Sequence, residues 1–285
     1  MAPPATSEPE CLIIGCGYLG RRVATRWAAA GRRVAALTRR NADTLRNLGV
    51  EPVVGDVLDP ASLRRLPAAD TVLYAVATDR TSGRSMREVY LDGLRHVLGT
   101  LRPPARFVYV SSTGVYGQAD GSWVDESSPA EPTEEAGRVV RDAEGLLRDR
   151  LPAAVVLRFA GMYGPDRLLR RQAILRGEPL VGDAGKWLNL VHVEDGADAV
   201  LAAEARAEPG ESYNVADGEP VTRRDFYTLL AELLNAPPAR FEHRDEPGGP
   251  NRRVSNRKAR ERLNWCPRFP DYRVGLPAAV RASAS

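Results

Sequence analysis

The stretch 11-CLIIGCGYLGRRVATRWAAAGRRVAALT-38 decides the fold. Its first four residues, Cys11 to Ile14, have the length and apolar character of a buried strand. Leu19, Val23 and Trp27 then recur every four residues, which puts them on one face of a helix, until Gly31 stops the turn. RVAALT, residues 33 to 38, reads as a second strand. Strand, helix and strand within roughly 30 residues is the unit that joins two parallel strands by a crossover. Between the first strand and the helix lie Gly15, Gly17 and Gly20, spaced G-x-G-x-x-G. In that setting Gly15 makes the tight turn, Gly17 lets the backbone approach a pyrophosphate, and Gly20 lets the helix pack closely. The helix start at Tyr18 and Leu19 adds free N–H groups and partial positive charge for the anion.

The same rhythm continues outward. VEPVV (50–54), TVLYAV (71–76), RFVYVS (106–111) and AAVVLRF (153–159) have strand length and β-branched enrichment, with amphipathic segments between them. Asp59 and Pro60 form an N-cap and first-turn pair. Parallel strands need crossovers, and crossovers place helices on both sheet faces, so the predicted class is α/β: a Rossmann-type, doubly wound parallel sheet. After residue 160 Gly and Pro become frequent, and helices are predicted at 194–206, 222–235 and about 256–263, with Thr222 and Asp225 as a capping box. The expected division is a dinucleotide-binding domain over 11–160 and a mainly substrate-binding small lobe over 161–285 that returns to the main sheet.

Composition narrows the partners. Forty Lys and Arg against thirty-seven Asp and Glu give a net charge of +3, and the basic residues fall in scattered pairs instead of a stripe, which argues against nucleic acid. Three cysteines without metal-ligand spacing favour reduced thiols in the cytoplasm, with neither disulfide nor metal site. The opening MAPPATSEPE is polar and only CLII follows it, so neither a signal peptide nor a membrane span is expected.

The second strand ends at Thr38 and is followed by Arg39 and Arg40, where an NAD site places an acid. Two arginines suit the extra phosphate of NADP, so NADP is the preferred cofactor and NAD the alternative, although a solvated basic turn has the same sequence. Asp56 in GDVLDP accepts from the adenine amino group or only closes a turn. Val57 beside it, Ala75 and Val76 at the end of the fourth strand, and Ser111 at the end of the fifth complete the expected cofactor wall, since open α/β sheets bind ligands along that edge.

FVYVSSTGVYG (107–117), LRFAGMYGP (157–165), LNLVHVEDGADAV (188–200), YNVADGEPVT (213–222) and VSNRKARERLNWCPRFPDYRVGL (254–276) resemble the extended short-chain dehydrogenases/reductases, the epimerase/dehydratase-like group, in its atypical branch. The resemblance implies an NAD(P)-dependent oxidoreductase, epimerase or dehydratase acting on a carbonyl or hydroxyl of a small molecule. It implies that Ser112, with Ser111 and Thr113 as neighbours, holds the substrate oxygen, although these hydroxyls also suit loop capping. It places Tyr116 and Asn189 beside the substrate, Phe159, Ala160, Gly161 and Met162 beside the nicotinamide, and His192 in a motif where the ring reacts or only braces the fold. A homodimer through helices near 84–102 and 133–150 is also implied.

One family feature is missing. The resemblance calls for Tyr-x-x-x-Lys at the start of the helix in PTEEAGRVVRDAEGLL (132–147), but with Glu144 aligned, Ala136 and Val140 occupy those places. No Tyr, Lys or His occurs from Trp123 to Leu151. Three accounts stay open: another donor (Lys186, His192, Tyr116, Tyr163 or a water ordered by Ser112), an NADP(H)-binding redox-sensing protein with little catalysis, or a scaffold that keeps the loop. Leu188 stands where relatives often carry an Arg four residues before the motif His, so a non-sugar carbonyl compound fits as well as a nucleotide sugar. Arg167, Arg170, Arg171, Arg252 and Arg253 either meet an anionic substrate or are solvated.

Overall fold

The computed structural model describes residues 8–78, 82–242 and 249–283. The first seven residues, part of the stretch behind the expectation of no signal peptide, lie outside the described ones. The chain divides into two compact units, each assembled from separate segments. The first comprises the chain through Ser111, Val139–Leu157 and Ala203–Glu211; the second comprises Ser112–Arg138, Arg158–Ala202 and the chain from Ser212 onward.

In chain order the early elements are β1 (Cys11–Ile14), α1 (Tyr18–Ala29), β2 (Val34–Thr38), α2 (Ala42–Asn47), β3 (Glu51–Val54), α3 (Pro60–Leu63), β4 (Thr71–Tyr74), α4 (Gly93–Thr100) and β5 (Arg106–Ser112). They follow the predicted rhythm because each strand is apolar throughout or nearly so: β1 and β4 are buried at every position, as strands covered on both faces must be. Leu19, Val23 and Trp27 are 4%, 0% and 2% exposed, so the four-residue spacing does mark the inner face of α1. Gly31 ends that helix region at φ +78°. Asp59 caps α3 by accepting from the Ala61 N–H, with Pro60 in the first turn. The predicted helix near 84–102 runs over residues 86–100, with residues 88–92 wound as a wider π turn inside it and a reciprocal Ser85–Glu88 cap at its start.

The later elements are β6 (Trp123–Val124), α5 (Glu135–Arg150), β7 (Val155–Phe159), β8 (Gly161–Tyr163), α6 (Arg171–Leu175), β9 (Leu180–Val181), β10 (Trp187–Leu188), β11 (Leu190–His192), α7 (Val193–Arg206), β12 (Ser212–Val215), β13 (Val221–Thr222), α8 (Arg223–Leu233), β14 (Phe241–Glu242), β15 (Arg253–Val254), α9 (Arg257–Leu263) and α10 (Tyr272–Ala282). Thr222 caps α8 by accepting from the Asp225 N–H, as the sequence predicts.

Seven strands form the central sheet in the order β12-β7-β5-β4-β1-β2-β3. The pairings β3·β2, β2·β1, β1·β4 and β4·β5 are parallel. This is the α/β Rossmann-like sheet expected from the sequence. Strand order reverses between β1 and β4, and such a switch point leaves a crevice beyond the strands' C-terminal ends. In the first unit the core gathers Leu12, Ile14, Val72, Tyr74, Phe107 and Leu147. The second unit has its own core around Tyr163, Phe226, Leu230, Tyr272 and Leu276. Among the described residues no helix is long and apolar enough to cross a membrane.

Candidate functional site

The glycine loop occupies the switch point of the first unit. Gly15 follows β1 at φ +93°, and a Cβ there would lie 2.7 Å from the backbone of Ala75 and Val76, just past β4. A Cβ on Gly20 would lie 2.7 Å from the Gly15 carbonyl oxygen. Both glycines are therefore required by close backbone approach. Gly17 differs: a Cβ there would meet nothing within 4 Å, so its surface is open. It is also the N-cap of α1, which has no side-chain cap and no acid in its first turn. The positive end of this 12-residue helix is thus neither capped by its N-cap side chain nor met by an acid in its first turn. Cys16, within the loop, is 8% exposed, with its thiol pushed up to about 12 by burial, against the pull of Arg21.

Thr38 ends β2, next to β1 in register, and its hydroxyl accepts from the Asn41 N–H at 3.1 Å. Arg39 and Arg40 follow, both exposed. Asp56 closes its own turn, with Oδ1 accepting from the Leu58 N–H at 2.9 Å, and Val57 beside it is buried. Ser111 is buried at the end of β5, where its hydroxyl donates to Glu144 Oε1.

In the second unit the chain turns at Ser112, whose Oγ accepts from the Gly114 N–H at 3.0 Å. Thr113 is buried, and its backbone carbonyl takes a 2.6 Å hydrogen bond from Arg252 Nη2. Asn189 clamps the same distant segment: its Nδ2 donates to the Arg252 carbonyl and its Oδ1 accepts from the Val254 N–H. Tyr116 is fully buried; its hydroxyl donates to Asn214 Oδ1 and accepts from Arg158 Nη1, each at 2.9 Å. Burial raises the pKa of that hydroxyl, and Arg158 offsets part of the rise.

Tyr163 is likewise enclosed, pressed so close to Gly275 that a Cβ there would overlap its oxygen. His192 is 3% exposed; its Nδ1 accepts from the Glu194 N–H and its ring packs on Phe269 at 4.0 Å. Lys186 Nζ donates to the Gly249 carbonyl at 3.2 Å. Phe159 and Ala160 are buried, while Gly161 and Met162 enter β8, which pairs with β11 so that Met162 lies opposite Val191. Away from these residues, a cavity of about 690 Å³ is lined by Arg167, Arg170, Arg171 and Arg176 together with Asp166 and Glu178.

A sequence profile described as the NAD dependent epimerase/dehydratase family matches residues 11–216, from the start of β1 to one residue past β12. The chain belongs to that family. It is 30% identical over 244 residues to Protein YeeZ of Escherichia coli K12, covering 81% of this chain and 86% of that one. It is 31% identical over 240 residues to the 4-hydroxy-2-methyl-3-oxo-4-farnesyl-3,4-dihydroquinoline-1-oxide ketoreductase of Stigmatella aurantiaca, covering 76% and 71% of the two chains. In fold it is similar to the DesIV dTDP-glucose 4,6-dehydratase of Streptomyces venezuelae, a structure with NAD bound, at TM-score 0.83, 23% identity and coverage of 96% and 97%.

Membership in the epimerase/dehydratase family sharpens what α5 presents. The helix begins at Glu135, Ala136 is exposed, and Gly137 abuts the Ser112 turn so tightly that a Cβ would lie 2.4 Å from the Gly114 carbonyl oxygen. Sequence reasoning found the turn and the helix but missed the buried Arg158–Tyr116–Asn214 chain and the bond from Arg252 to Thr113. Both join residues more than forty positions apart in places, and no local spacing announces them.

Proposed function

We propose that this epimerase/dehydratase-family chain is an NADP(H)-dependent oxidoreductase acting on a carbonyl or hydroxyl of a small molecule, with NAD as the weaker cofactor. The phosphate loop carries the reading: Gly17 is open, Gly15 and Gly20 are held by backbone contacts, and the start of α1 is uncapped and free of acids. Gly15, Gly17, Tyr18, Leu19 and Gly20 would hold the diphosphate, and Arg39 and Arg40 the additional phosphate. Thr38, Asp56 and Val57 would surround the adenosine, with Ala75, Val76, Ser111 and residues 159–162 toward the nicotinamide. Bound nicotinamide supplies or accepts the hydride. Ser112 and Thr113 would orient the substrate oxygen, with Tyr116, Asn189, Lys186 and His192 shaping the substrate side. General acid–base help is worth about 10²- to 10⁴-fold, so a chain without the Tyr-x-x-x-Lys pair reacts slowly but is not barred from reacting. With Leu188 in place of the motif Arg, a ketone outside the nucleotide sugars fits as well as a nucleotide sugar.

Calorimetry of the pure protein with NADPH and NADH tests the cofactor, and loss of reduced-nicotinamide absorbance with a panel of ketones, aldehydes and 4-keto sugars tests the reaction. No heat with either cofactor ends the reading. The absence of Tyr, Lys and His from residue 123 to 151 also favours a second reading, a cytoplasmic NADP(H)-binding sensor. It calls for binding without turnover and a partner held in one redox state only. A homodimer through the helices near 84–102 and 133–150 belongs to both readings and is measured by sedimentation.

A further inference from the structure

Past β8 the second unit carries a loop that gathers like charges. The loop leaves the strand by an antiparallel bridge, in which the Arg167 N–H donates to the Gly164 carbonyl at 3.0 Å and the Gly164 N–H to the Arg167 carbonyl at 3.3 Å. Leu168 and Ile174 anchor it in the core that also holds Tyr163 and Leu276. It is tied to the end of α10 as well: the Asp166 N–H donates to Ser283 Oγ at 2.9 Å, and that hydroxyl donates to the Ala279 carbonyl at 2.8 Å. Between these anchors Arg167, Arg170, Arg171 and Arg176 line one cavity of about 690 Å³ together with Asp166 and Glu178. All of these residues belong to the second unit.

The arrangement is held at a cost. Asp166 and Arg170 stand at φ +64° and +59°, in the left-handed region that residues with a Cβ avoid. Arg171 lines the cavity while its Nε is enclosed and has no acceptor among the described residues, and a buried donor left unmet is unfavourable. Arg176 is already answered: its Nε and Nη2 donate to Oε1 and Oε2 of Glu178 at 2.6 and 3.1 Å. With that pair neutral, Arg167, Arg170 and Arg171 share the wall with the Asp166 carboxylate, an excess of two positive charges. Cations gathered on one concave wall repel each other until an anion comes between them. Guanidinium groups are planar forks that take phosphate oxygens two at a time, and the volume lies within the range of about 300–1,000 Å³ usual for small-molecule pockets.

We infer that this cavity binds a diphosphate group, with Arg170 and Arg171 as its chief ligands, as a site distinct from the glycine loop of the first unit. The inference does not depend on the reduction proposed above.

Calorimetry of the full chain with inorganic pyrophosphate tests it. Because the glycine loop offers an anion a place of its own, each titration is run in the Gly17→Ala background as well as in the wild type. Pyrophosphate is expected to bind in both. Arg170→Asn, which puts a residue tolerant of the left-handed turn at that position, and Arg171→Gln are each expected to weaken it at least about 10-fold. Glu178→Gln is expected to tighten it at least about 3-fold, because it releases Arg176 and removes a repelling carboxylate. ADP titrated alongside separates two sources of the group: tighter binding than pyrophosphate assigns the site to a nucleotide-borne diphosphate, and equal or weaker binding to a free one. No pyrophosphate binding in the Gly17→Ala background, unchanged binding in either arginine variant, or equal or weaker binding in Glu178→Gln overturns the inference. Where an arginine variant does not fold, Glu178→Gln decides, since its side chain is exposed and outside the core. Failure of the chain to bind NADPH leaves each of these outcomes as it is.

Discussion

The Ser111 hydroxyl donates to Glu144 Oε1 at 2.6 Å, fastening the end of β5 to the middle of α5 within the first unit. Glu144 is 1% exposed and also accepts from Arg148 Nη2 at 2.7 Å, so a buried carboxylate is shared between a hydroxyl and a guanidinium. Hydrogen bonds to buried charged groups contribute about 1.5–3 kcal/mol. Ser111→Ala is therefore expected to lower the unfolding free energy by about that amount in urea. A change below roughly 0.5 kcal/mol, the range of ordinary surface substitutions, would show that the pair contributes nothing.

The three loop glycines are not equivalent. Gly15→Ala forces a side chain into the left-handed region and into the Ala75 backbone, so it is expected to cost at least about 2 kcal/mol of stability. Gly17→Ala meets no atom and keeps a φ of −93°. It is expected to fold with stability within about 0.5 kcal/mol of the wild type yet bind NADPH at least about 10-fold more weakly, because the new methyl occupies the diphosphate's approach. Thermal melts and calorimetry on the two variants separate these outcomes; equal NADPH affinity in Gly17→Ala removes the loop from the cofactor site.

Arg39 stands exposed one residue past β2. If it meets the extra phosphate, Arg39→Ala weakens NADPH by roughly 10-fold and leaves NADH within about 2-fold, as expected for one charge-assisted contact. Parallel losses for both cofactors, or none for either, would leave Arg39 and Arg40 a solvated basic turn.

Asp217 lies at the end of the β12 motif, 2% exposed. Burial first, then the carboxylates of Asp271, Glu219 and Asp195, hold its pKa well above the ordinary value, with only the Glu219 backbone acting the other way. A raised carboxyl pKa means that the folded chain keeps a proton the unfolded chain releases. Its stabilising effect is full below the unfolded value near 3.8 and is lost as the pH climbs toward the folded value. Asp217→Asn is therefore expected to match the wild type near pH 4 and to exceed it by at least about 1 kcal/mol near pH 8. Urea melts across that range check the sign; a stability difference that does not grow with pH counts against the buried proton.

Much of the frame was legible in advance because it is local. The period of Leu19, Val23 and Trp27, the Asp59–Pro60 start of α3 and the Thr222 cap of α8 depend on neighbours within four residues, and each appears in place. The Ser85–Glu88 cap is equally local, but the π turn that follows it carries no spacing signal that sets it apart from an ordinary helix. Of the candidate site, the residue types at the strand ends were legible, but their partners were not. Nothing near Tyr116 in the sequence points to Arg158 or Asn214, and nothing near Thr113 points to Arg252.

Short spacing and composition alone give the alternation of strands and helices, the glycine turn at the first crossover, and the absence of Tyr, Lys and His from residues 123 to 151. Only the tertiary structure decided which glycines are held by backbone contact and which one is open, and that Tyr116 and Tyr163 are enclosed. It also decided that Arg253 stacks over Trp123 while its neighbour Arg252 reaches the Ser112–Gly114 turn. The physical reason is that burial and hydrogen-bond satisfaction are set by atoms brought together from distant parts of the chain, whereas periodicity and capping are settled within a few residues.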